Sequence, residues 1–263
     1  MGNQLKHPAG NFCWFELGTS DQAGAKEFYT QLFGWNFEDQ PLPPEMGGAY
    51  TIWRVGDKEV GACYQLGPQM AGIPPHWMPY VAVENCDQAA AKVTELGGEL
   101  LMPPFDVMEH GRMTTFKDPT GAMLSLWQSK NHYGADLVGA PNSFCWGELS
   151  ATDAASAKPF YTGLFGWSLK ESSDPSMPYT EFSNGPQPIG GILDMSGPGF
   201  EGIPPHWGIY FMVEDCDASA AKAGALGGKL MVPPTDIPHV GRFALIQDPQ
   251  GAVFSIIKLT NLM

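Results

Sequence analysis

Positively charged residues are scarce in this sequence: 14 lysines and arginines stand against 28 aspartates and glutamates, giving a formal net charge of −14. Proteins bind nucleic-acid backbones and anionic membrane surfaces largely through clustered lysine and arginine. The composition therefore disfavours nucleic acid and membranes as partners. A solubilising acidic surface is a sufficient explanation of the charge.

Long apolar runs are also missing. No run approaches the roughly 18 apolar residues that a membrane-spanning helix needs, and the stretch from Met1 to Gly10 lacks the apolar segment of a signal peptide. The five cysteines are odd in number and never spaced as Cys-x-x-Cys, which argues against a disulfide framework or a zinc site. We expect a cytoplasmic protein. The cysteines are Cys13, Cys63, Cys86, Cys145 and Cys216.

The sequence contains an internal repeat. The stretch from Asn11 to Trp35 matches the stretch from Ser143 to Trp167 at 16 of 25 positions. The segment from Ile73 to Trp77 recurs from Ile203 to Trp207, so the second copy has lost two residues in between. Shortening of a surface loop is the natural cause of this loss.

The repeat and the chain length predict two domains, at residues 1–130 and 143–263, joined by a linker at 131–142. Each copy holds two smaller units with the pattern β-α-β-β-β, which indicates an α+β fold. In the first unit, Asp21 is placed to cap a helix and Gly34 to end it.

Strands are predicted where short apolar or alternating stretches lie between turn residues. The predicted strands of the first copy are Phe12 to Leu17, Tyr50 to Val55, Glu59 to Leu66, Met78 to Val83, Arg112 to Phe116 and Ala122 to Trp127. A second helix is expected from about Asp87 to Leu96, ended by Gly97.

Three motifs occur in order in the first copy and again in the second. They run from Asp21 to Trp35, from Val83 to Asp87 before an alanine-rich helix, and from Asp118 to Gly121 as Asp-Pro-x-Gly. In this combination the chain resembles the vicinal oxygen chelate (VOC) superfamily of glyoxalase I, bleomycin-resistance proteins and extradiol dioxygenases, and most closely its tandem-domain glyoxalase-like bacterial members. The resemblance implies two tandem domains whose paired β-α-β-β-β units form a cup-shaped curved sheet.

The resemblance also bears on metal binding, because metal-dependent relatives hold a divalent ion with His and Glu on inner strands. The corresponding positions here are Trp14, Met78 and Ser125 in the first copy and Trp146, Gly208 and Ser255 in the second, with the fourth-strand position near Cys63 and Leu193. Zinc and iron require imidazole, carboxylate or thiolate donors. We therefore expect no metal at this place and no other cofactor.

The resemblance implies that Trp14 points into the cup, and because side chains alternate across a strand, Glu16 is then expected to point inward too. The same register predicts the lining of each cup. The first cup is expected to contain Trp14, Glu16, Met78, Tyr80, Ser125 and Trp127, and the second Trp146, Glu148, Gly208, Tyr210, Ser255 and Ile257. Aromatic walls with a few polar groups are typical of small-molecule pockets.

Glu16 and Glu148 are the candidate catalytic residues, since a positioned carboxylate can transfer protons. Arg112 and Arg242 are candidate ligand-binding residues and candidate cationic partners of these carboxylates. Two interpretations remain open: the carboxylates act on a ligand, or they form salt bridges with the arginines that hold each cup together.

The remaining polar motifs are expected to be structural. Asp118 and Asp248 precede proline and glycine, which is turn chemistry. His76 and His206 are expected mainly to order a loop. His110 and His239 are out of register between the copies, and His7 and His132 are expected on the surface.

The sequence thus predicts a metal-independent protein that binds or converts a small metabolite in a cup-shaped pocket. One alternative is a metal-dependent glyoxalase-type lyase or dioxygenase with non-standard ligands. Another is a structural module whose cups are filled by side chains such as Trp14 and Trp146. Because two domains can pair within one chain, a monomer or a homodimer is expected.

Overall fold

The computed structural model describes residues 7–43, 48–172 and 178–260. The four helices in these ranges are α1 (Gln22–Phe33), α2 (Cys86–Glu95), α3 (Ala154–Phe165) and α4 (Cys216–Ala225). The strands of the first sheet are β1 (Phe12–Thr19), β2 (Asn36–Pro41), β3 (Ala49–Val55), β4 (Lys58–Gln65), β5 (His76–Ala82), β6 (Glu99–Leu100), β7 (Phe105–Val107), β8 (Gly111–Lys117) and β9 (Met123–Ser129). Those of the second are β10 (Phe144–Ala151), β11 (Ser168–Glu171), β12 (Tyr179–Asn184), β13 (Gln187–Asp194), β14 (His206–Met212), β15 (Lys229–Ile237), β16 (Gly241–Gln247) and β17 (Val253–Leu259).

The strand order confirms two tandem α+β domains with curved open sheets. The first sheet runs β2-β3-β4-β1-β5-β9-β8-β6, with β7 beside β8, and the second runs β11-β12-β13-β10-β14-β17-β16-β15. In each, the first strand of a β-α-β-β-β unit pairs in parallel with the last, as β1 does with β4 and β5 with β9. Strand β2 was not located from the sequence, because every residue of this edge strand is exposed and shows no alternation.

The helix ends follow the capping residues that the sequence indicates. The carboxylate of Asp21 accepts a hydrogen bond from the backbone N–H of Gly24, and Gly34 ends α1 with a φ of 70°. In the second copy Asp153 and Gly166 do the same for α3. Among the described residues, no helix combines the length and apolar character that crossing a bilayer demands.

Packing divides the chain into two compact units that do not follow the sequence copies. The first unit comprises Met1–Trp14, Met78–Gly134 and Gly147–Gly208, and the second comprises Phe15–Trp77, Ala135–Trp146 and Ile209–Met263. Within the first unit α2 packs against α3, and within the second α1 packs against α4. Each unit therefore joins one half of one copy to the complementary half of the other.

A buried hydrogen-bond chain links the two copies inside the second unit. The hydroxyl of Tyr29 donates to Oδ2 of Asp248 at 2.9 Å and accepts from Nε1 of Trp77 at 3.0 Å. The other carboxylate oxygen of Asp248 accepts from the backbone N–H groups of residues 250–252 at 2.8 to 3.0 Å. The predicted turn role of this aspartate is confirmed, and the same carboxylate also anchors α1 of the other copy.

The first unit contains the matching chain. Tyr161 donates to Oδ2 of Asp118 at 2.8 Å and accepts from Nε1 of Trp207 at 2.8 Å. Oδ1 of Asp118 accepts from the backbone of Thr120 and Ala122, which confirms its turn role. The tyrosine contact was not predicted, because nothing in an Asp-Pro turn identifies a partner 43 residues away in the sequence.

Candidate functional site

Four of the predicted lining residues of the first sheet share one face. The Tyr80 and Trp127 rings lie 6.4 Å apart, edge to face, and both side chains are largely buried. Tyr80 and Ser125 are neighbours in the ladder between β5 and β9. The hydroxyl of Ser125 is hydrogen-bonded to Thr115 at 2.8 Å, and Trp14 is 4% exposed. The predicted aromatic and hydroxyl groups therefore form a closely packed wall.

His132 was expected on the surface, and in the structure it is half-buried and belongs to this wall. Its half-buried ring lies edge-on against Trp14, with the ring centroids 4.6 Å apart, and 6.0 Å from the ring of Trp127. Nε1 of Trp127 donates to the backbone carbonyl of His132 at 3.0 Å. The linker thus covers part of this face. A polar linker sequence gives no signal for such packing, which depends on tertiary structure alone.

Two of the corresponding residues of the second copy are smaller. Tyr210 neighbours Ser255 in the ladder between β14 and β17, and its ring lies 6.3 Å from that of Phe243. Ile257 replaces the bulky Trp127 of the first copy. Gly208 replaces Met78. Among the described residues, the one atom within 4 Å of a Cβ added at Gly208 would be the backbone oxygen of Glu148, at 3.7 Å, so there is space beside this residue. Trp146 is half-buried, whereas Trp14 is buried.

Glu16 lies in a cluster of polar side chains inside the second unit. The hydroxyl of Tyr50 on β3 donates to Oε1 of Glu16 on β1 at 2.5 Å. Tyr64 on β4 lies close enough that burial and the negative charge of Glu16 raise the pKa of its phenol. All three side chains are half-buried and therefore reachable from solvent. The glutamate was predicted as a site residue but neither tyrosine was, since pairing across strands depends on register.

Gly18 allows this cluster to close over β1. A Cβ atom at Gly18 would lie 3.1 Å from the hydroxyl of Tyr64 and 3.3 Å from Cε1 of His76. Nδ1 of His76 lies 2.9 Å from the carbonyl of Pro74, so the predicted loop-ordering contact is present. The ring of His76 also borders the cluster, which the sequence did not reveal.

The second copy differs at the corresponding positions. Leu193 replaces Tyr64 and Ser150 replaces Gly18, as the strand register of β10, β12 and β13 shows. Tyr179 is the counterpart of Tyr50, and its ring lies over Gly191, because a Cβ atom there would be 2.4 Å from that ring. Glu148 is half-buried, as Glu16 is. The two copies thus keep the carboxylate and the tyrosine at the position of Tyr50, and they differ at the positions of Tyr64 and Gly18.

The arginines do not pair with the candidate catalytic carboxylates, so that prediction is wrong. Nε and Nη2 of Arg112 bind both oxygens of Asp87 at 2.8 Å, and Nη1 binds Asp106 at 3.2 Å. These bonds hold the pKa of Asp87 below its usual value. Arg112 lies opposite Gln128 in the ladder, and thus on the helix-facing side of β8, away from Ser125. Arg242 repeats the arrangement with Asp217 and Asp236.

The expected fourth metal-ligand position needs correction as well. Cys63 is fully buried, and the carbonyl of this residue accepts from Nε2 of Gln22 in α1 at 3.1 Å. Burial raises the pKa of its thiol to about 12. Cys63 therefore faces α1, while Ala62 and Tyr64 face the side of Glu16. In register Leu193 matches Tyr64 rather than Cys63, because Thr180 and Ile192 pair as Thr51 and Cys63 do.

Metal-dependent proteins with this kind of fold hold a divalent ion with side chains of the inner strands. In the first copy, the positions equivalent to those metal ligands carry the indole of Trp14, the thioether of Met78 and the hydroxyl of Ser125. These groups do not form a site for a hard cation. Among residues 7–43, 48–172 and 178–260, no three His, Cys, Asp or Glu side chains are grouped so that they could hold a metal. The residues present do not fit the ion.

Comparison with known proteins defines the family. The model of the Glyoxalase/Bleomycin resistance protein/Dioxygenase superfamily matches residues 11–126 and 144–256. The chain is 40% identical to the "Putative glyoxylase CFP32" of Mycobacterium tuberculosis, over 98% of each chain. It is 34% identical to the anthracycline biosynthesis protein DnrV of Streptomyces peucetius, over 94% of this chain and 92% of DnrV.

Solved structures agree at the level of the fold. The Mn(II)-bound glyoxalase from Novosphingobium aromaticivorans aligns with a TM-score of 0.66 at 15% identity, over 97% of this chain and 83% of that one. The 2,3-dioxygenase LapB from Pseudomonas sp. KL28 aligns with a TM-score of 0.65 at 13% identity, over 95% and 93%. The chain belongs to the Glyoxalase/Bleomycin resistance protein/Dioxygenase superfamily and carries one match to the family in each half.

Proposed function

We propose that this protein binds, and in one copy converts, a small carbonyl-bearing or partly aromatic metabolite on the inner faces of its curved sheets without using a metal ion. The observation that carries the proposal is the donor set. Where metal-dependent relatives place His and Glu, the first copy has Trp14, Met78 and Ser125. Indole and thioether groups suit an apolar or aromatic ligand better than a hard cation.

Glu16 and Glu148 supply the placed polar group that such a pocket needs. Glu16 lies among hydroxyls, with Tyr50 at 2.5 Å and Tyr64 within electrostatic reach. Tyr80, Trp127, Tyr210 and Ser255 remain proposed ligand contacts. Arg112 and Arg242 are bound to aspartates, so their proposed role reduces to holding β8 and β16 to the adjacent helices.

The relatives support a small-molecule ligand. One is named for glyoxylase activity and another for anthracycline biosynthesis, which points to small carbonyl compounds or polycyclic aromatic ketones as ligand classes. The superfamily as a whole acts on small molecules. Five free thiols fit the proposed cytoplasmic location, and the pairing of copies within one chain fits a monomer, with a homodimer as the alternative.

Native mass spectrometry of protein purified without chelator tests the proposal, with dihydroxyacetone and 1,4-dihydroxyanthraquinone as probes and elemental analysis in parallel. We expect at least one probe to form a saturable complex with protein that has first been dialysed against EDTA. Glu16→Gln and Glu148→Gln show which sheet holds the probe. A stoichiometric divalent metal whose removal abolishes binding would overturn the proposal in favour of a metal-dependent lyase or dioxygenase, and failure of both probes to bind would also count against it.

A further inference from the structure

We infer that a second binding site lies at the ends of β5 and β9 and takes a small ammonium compound. The juxtaposition that carries the inference is a small cavity in which one carboxylate is grouped with two aromatic residues. The inference does not depend on the proposed function, because neither candidate catalytic glutamate lines this cavity.

The cavity is small and belongs to one part of the molecule. Its volume is about 210 Å³, and its walls come from the segment before β1, the ends of β5 and β9, and the linker. All of its lining residues belong to the first compact unit. Drug-sized ligands occupy pockets of about 300 to 1,000 Å³, so this cavity suits a smaller molecule. Its aromatic and polar lining residues are His7, Glu84, Trp127, Ser129 and Tyr133.

Backbone contacts hold the walls of the cavity in place. The N–H of Gly10 donates to the carbonyl of Ala82 at 2.8 Å, which ties the segment before β1 to the end of β5. Gly134 brings the linker against the same segment, because a Cβ atom there would lie 3.1 Å from Cδ2 of His7. Glu84 is exposed, so a ligand can reach its carboxylate from solvent. The cavity is thus both anchored and accessible.

The chemistry of the lining favours a cation. Among the described lining residues, Glu84 is the one carboxylate, and none is lysine or arginine. Lys130, which directly follows β9, is paired with Asp106 at 2.9 Å. Trp127 and Tyr133 supply indole and phenol rings, and such rings attract ammonium groups. The net charge of −14 adds a field that draws cations toward the protein.

The second copy keeps the carboxylate but not the same aromatic surroundings. Glu214 follows a valine after β14, as Glu84 does after β5. Ile257 stands at the position of Trp127 in the ladder. The position that corresponds to Tyr133 lies outside the described residues. Glu214 therefore serves as the matched control for Glu84.

Choline and 3,3-dimethylbutan-1-ol test the inference, because they have nearly the same shape and differ in the charge of the quaternary centre. Saturation-transfer NMR and isothermal titration with the full-length protein in low-salt buffer measure the two affinities. We expect choline to bind with a Kd of about 1 mM or lower. It should bind at least about fivefold more tightly than the neutral alcohol.

Variants of the lining identify the groups that hold the cation. Glu84→Gln should weaken choline binding by about fivefold or more and leave the alcohol within about twofold, because it removes the charge and keeps the shape. Tyr133→Leu should weaken choline binding by about threefold or more, whereas Tyr133→Phe keeps the ring and should stay within about twofold. Trp127 is left unchanged, because it also belongs to the inner wall. Circular dichroism and thermal unfolding identify any variant that fails to fold.

The outcomes are distinct from those of the proposed function. Failure of choline to bind saturably, equal affinity for the alcohol, or a loss in Glu214→Gln as large as in Glu84→Gln would overturn the inference. Glu84→Gln should leave the binding of dihydroxyacetone and 1,4-dihydroxyanthraquinone unchanged, and Glu16→Gln should leave choline binding unchanged. Choline binding without binding of either of those two probes would count against the proposed function alone.

Discussion

The hydrogen bonds of Tyr29 allow a quantitative prediction. Tyr29→Phe removes one hydroxyl that donates to Asp248 and accepts from Trp77, while the apolar contacts of the ring remain. Tyr29 is fully buried and Trp77 is 5% exposed, so water cannot easily replace the lost partner. An unsatisfied buried donor costs about 1 to 3 kcal/mol, and loss of a hydrogen bond to a charged group costs a similar amount. We expect the free energy of unfolding to fall by about 2 to 4 kcal/mol.

Equilibrium unfolding in urea, followed by tryptophan fluorescence and circular dichroism, measures this change. The urea concentration at the unfolding midpoint should fall, while the slope of the unfolding free energy against urea concentration stays constant. A constant slope shows that the same two states are compared. Tyr161→Phe is a matched variant, because it removes the same pair of bonds to Asp118 and Trp207. Tyr133→Phe, on a half-buried residue of the linker, should change stability by less than about 0.5 kcal/mol.

The cost of Tyr29→Phe should also depend on pH. Burial raises the pKa of Asp248, whereas the bond from Tyr29 opposes that rise by favouring the charged form. The variant therefore raises this pKa further and is penalised most when Asp248 is ionised, so the cost should be larger at pH 7 than at pH 4. A change below about 0.5 kcal/mol at pH 7, or a cost that grows as the pH falls, would refute the reasoning.

Three further predictions address other parts of the structure. Arg112→Gln should raise the pKa of Asp87 toward the ordinary aspartate value in a carboxyl NMR titration, and an unchanged value would contradict the ion pair. The five cysteines, all buried or half-buried with raised thiol pKa values, should react slowly with a thiol reagent at pH 8 in the folded protein and at once in urea. Gly134→Ala should cost more than about 2 kcal/mol, because φ is +100° there and the new Cβ would lie 2.2 Å from the carbonyl oxygen of Cys13; a neutral change in urea unfolding would contradict this.

Local features of the fold were predictable because they depend on neighbouring residues. The capping residue Asp21 and the helix-ending Gly34 carry their own signals, and the motif order identified the family and the sheet topology. The edge strand β2 was missed because its side chains are all exposed, so no buried face imposes an alternation.

The site was predictable only in part. Alternation along β1 predicts Trp14 and Glu16 on one side of the strand, but it could not reveal that Tyr50 reaches that carboxylate from β3. The error over Arg112 has the same origin, since one residue of register decides whether a side chain faces the pocket or the helices. The contacts of half-buried His132 were not predictable, because linker residues have no periodicity from which burial could be inferred.

The buried tyrosine bonds indicate why the two copies remain in one chain, and this leads to a last prediction. Tyr29 and Tyr161 each donate a hydrogen bond to an aspartate of the other copy. A fragment of residues 1–137 therefore contains Tyr29 and Asp118 but neither of their native partners. Because Asp118 and Asp248 stand in equivalent turns, two such fragments can satisfy each other. We expect the fragment to sediment as a dimer that Asp118→Asn weakens, whereas a stable folded monomer would contradict this account.

A dimer of identical fragments would have two identical sites, whereas a fused chain can change one sheet and leave the other unaltered. The replacement of Tyr64 by Leu193 and of Trp127 by Ile257 between the copies is the kind of divergence that fusion permits. Packing shared between the copies keeps the buried tyrosines and aspartates the same in both, because each unit depends on residues from each copy. The half-buried residues around Glu16 and Glu148 have no such constraint, so a difference in function between the copies should arise there first.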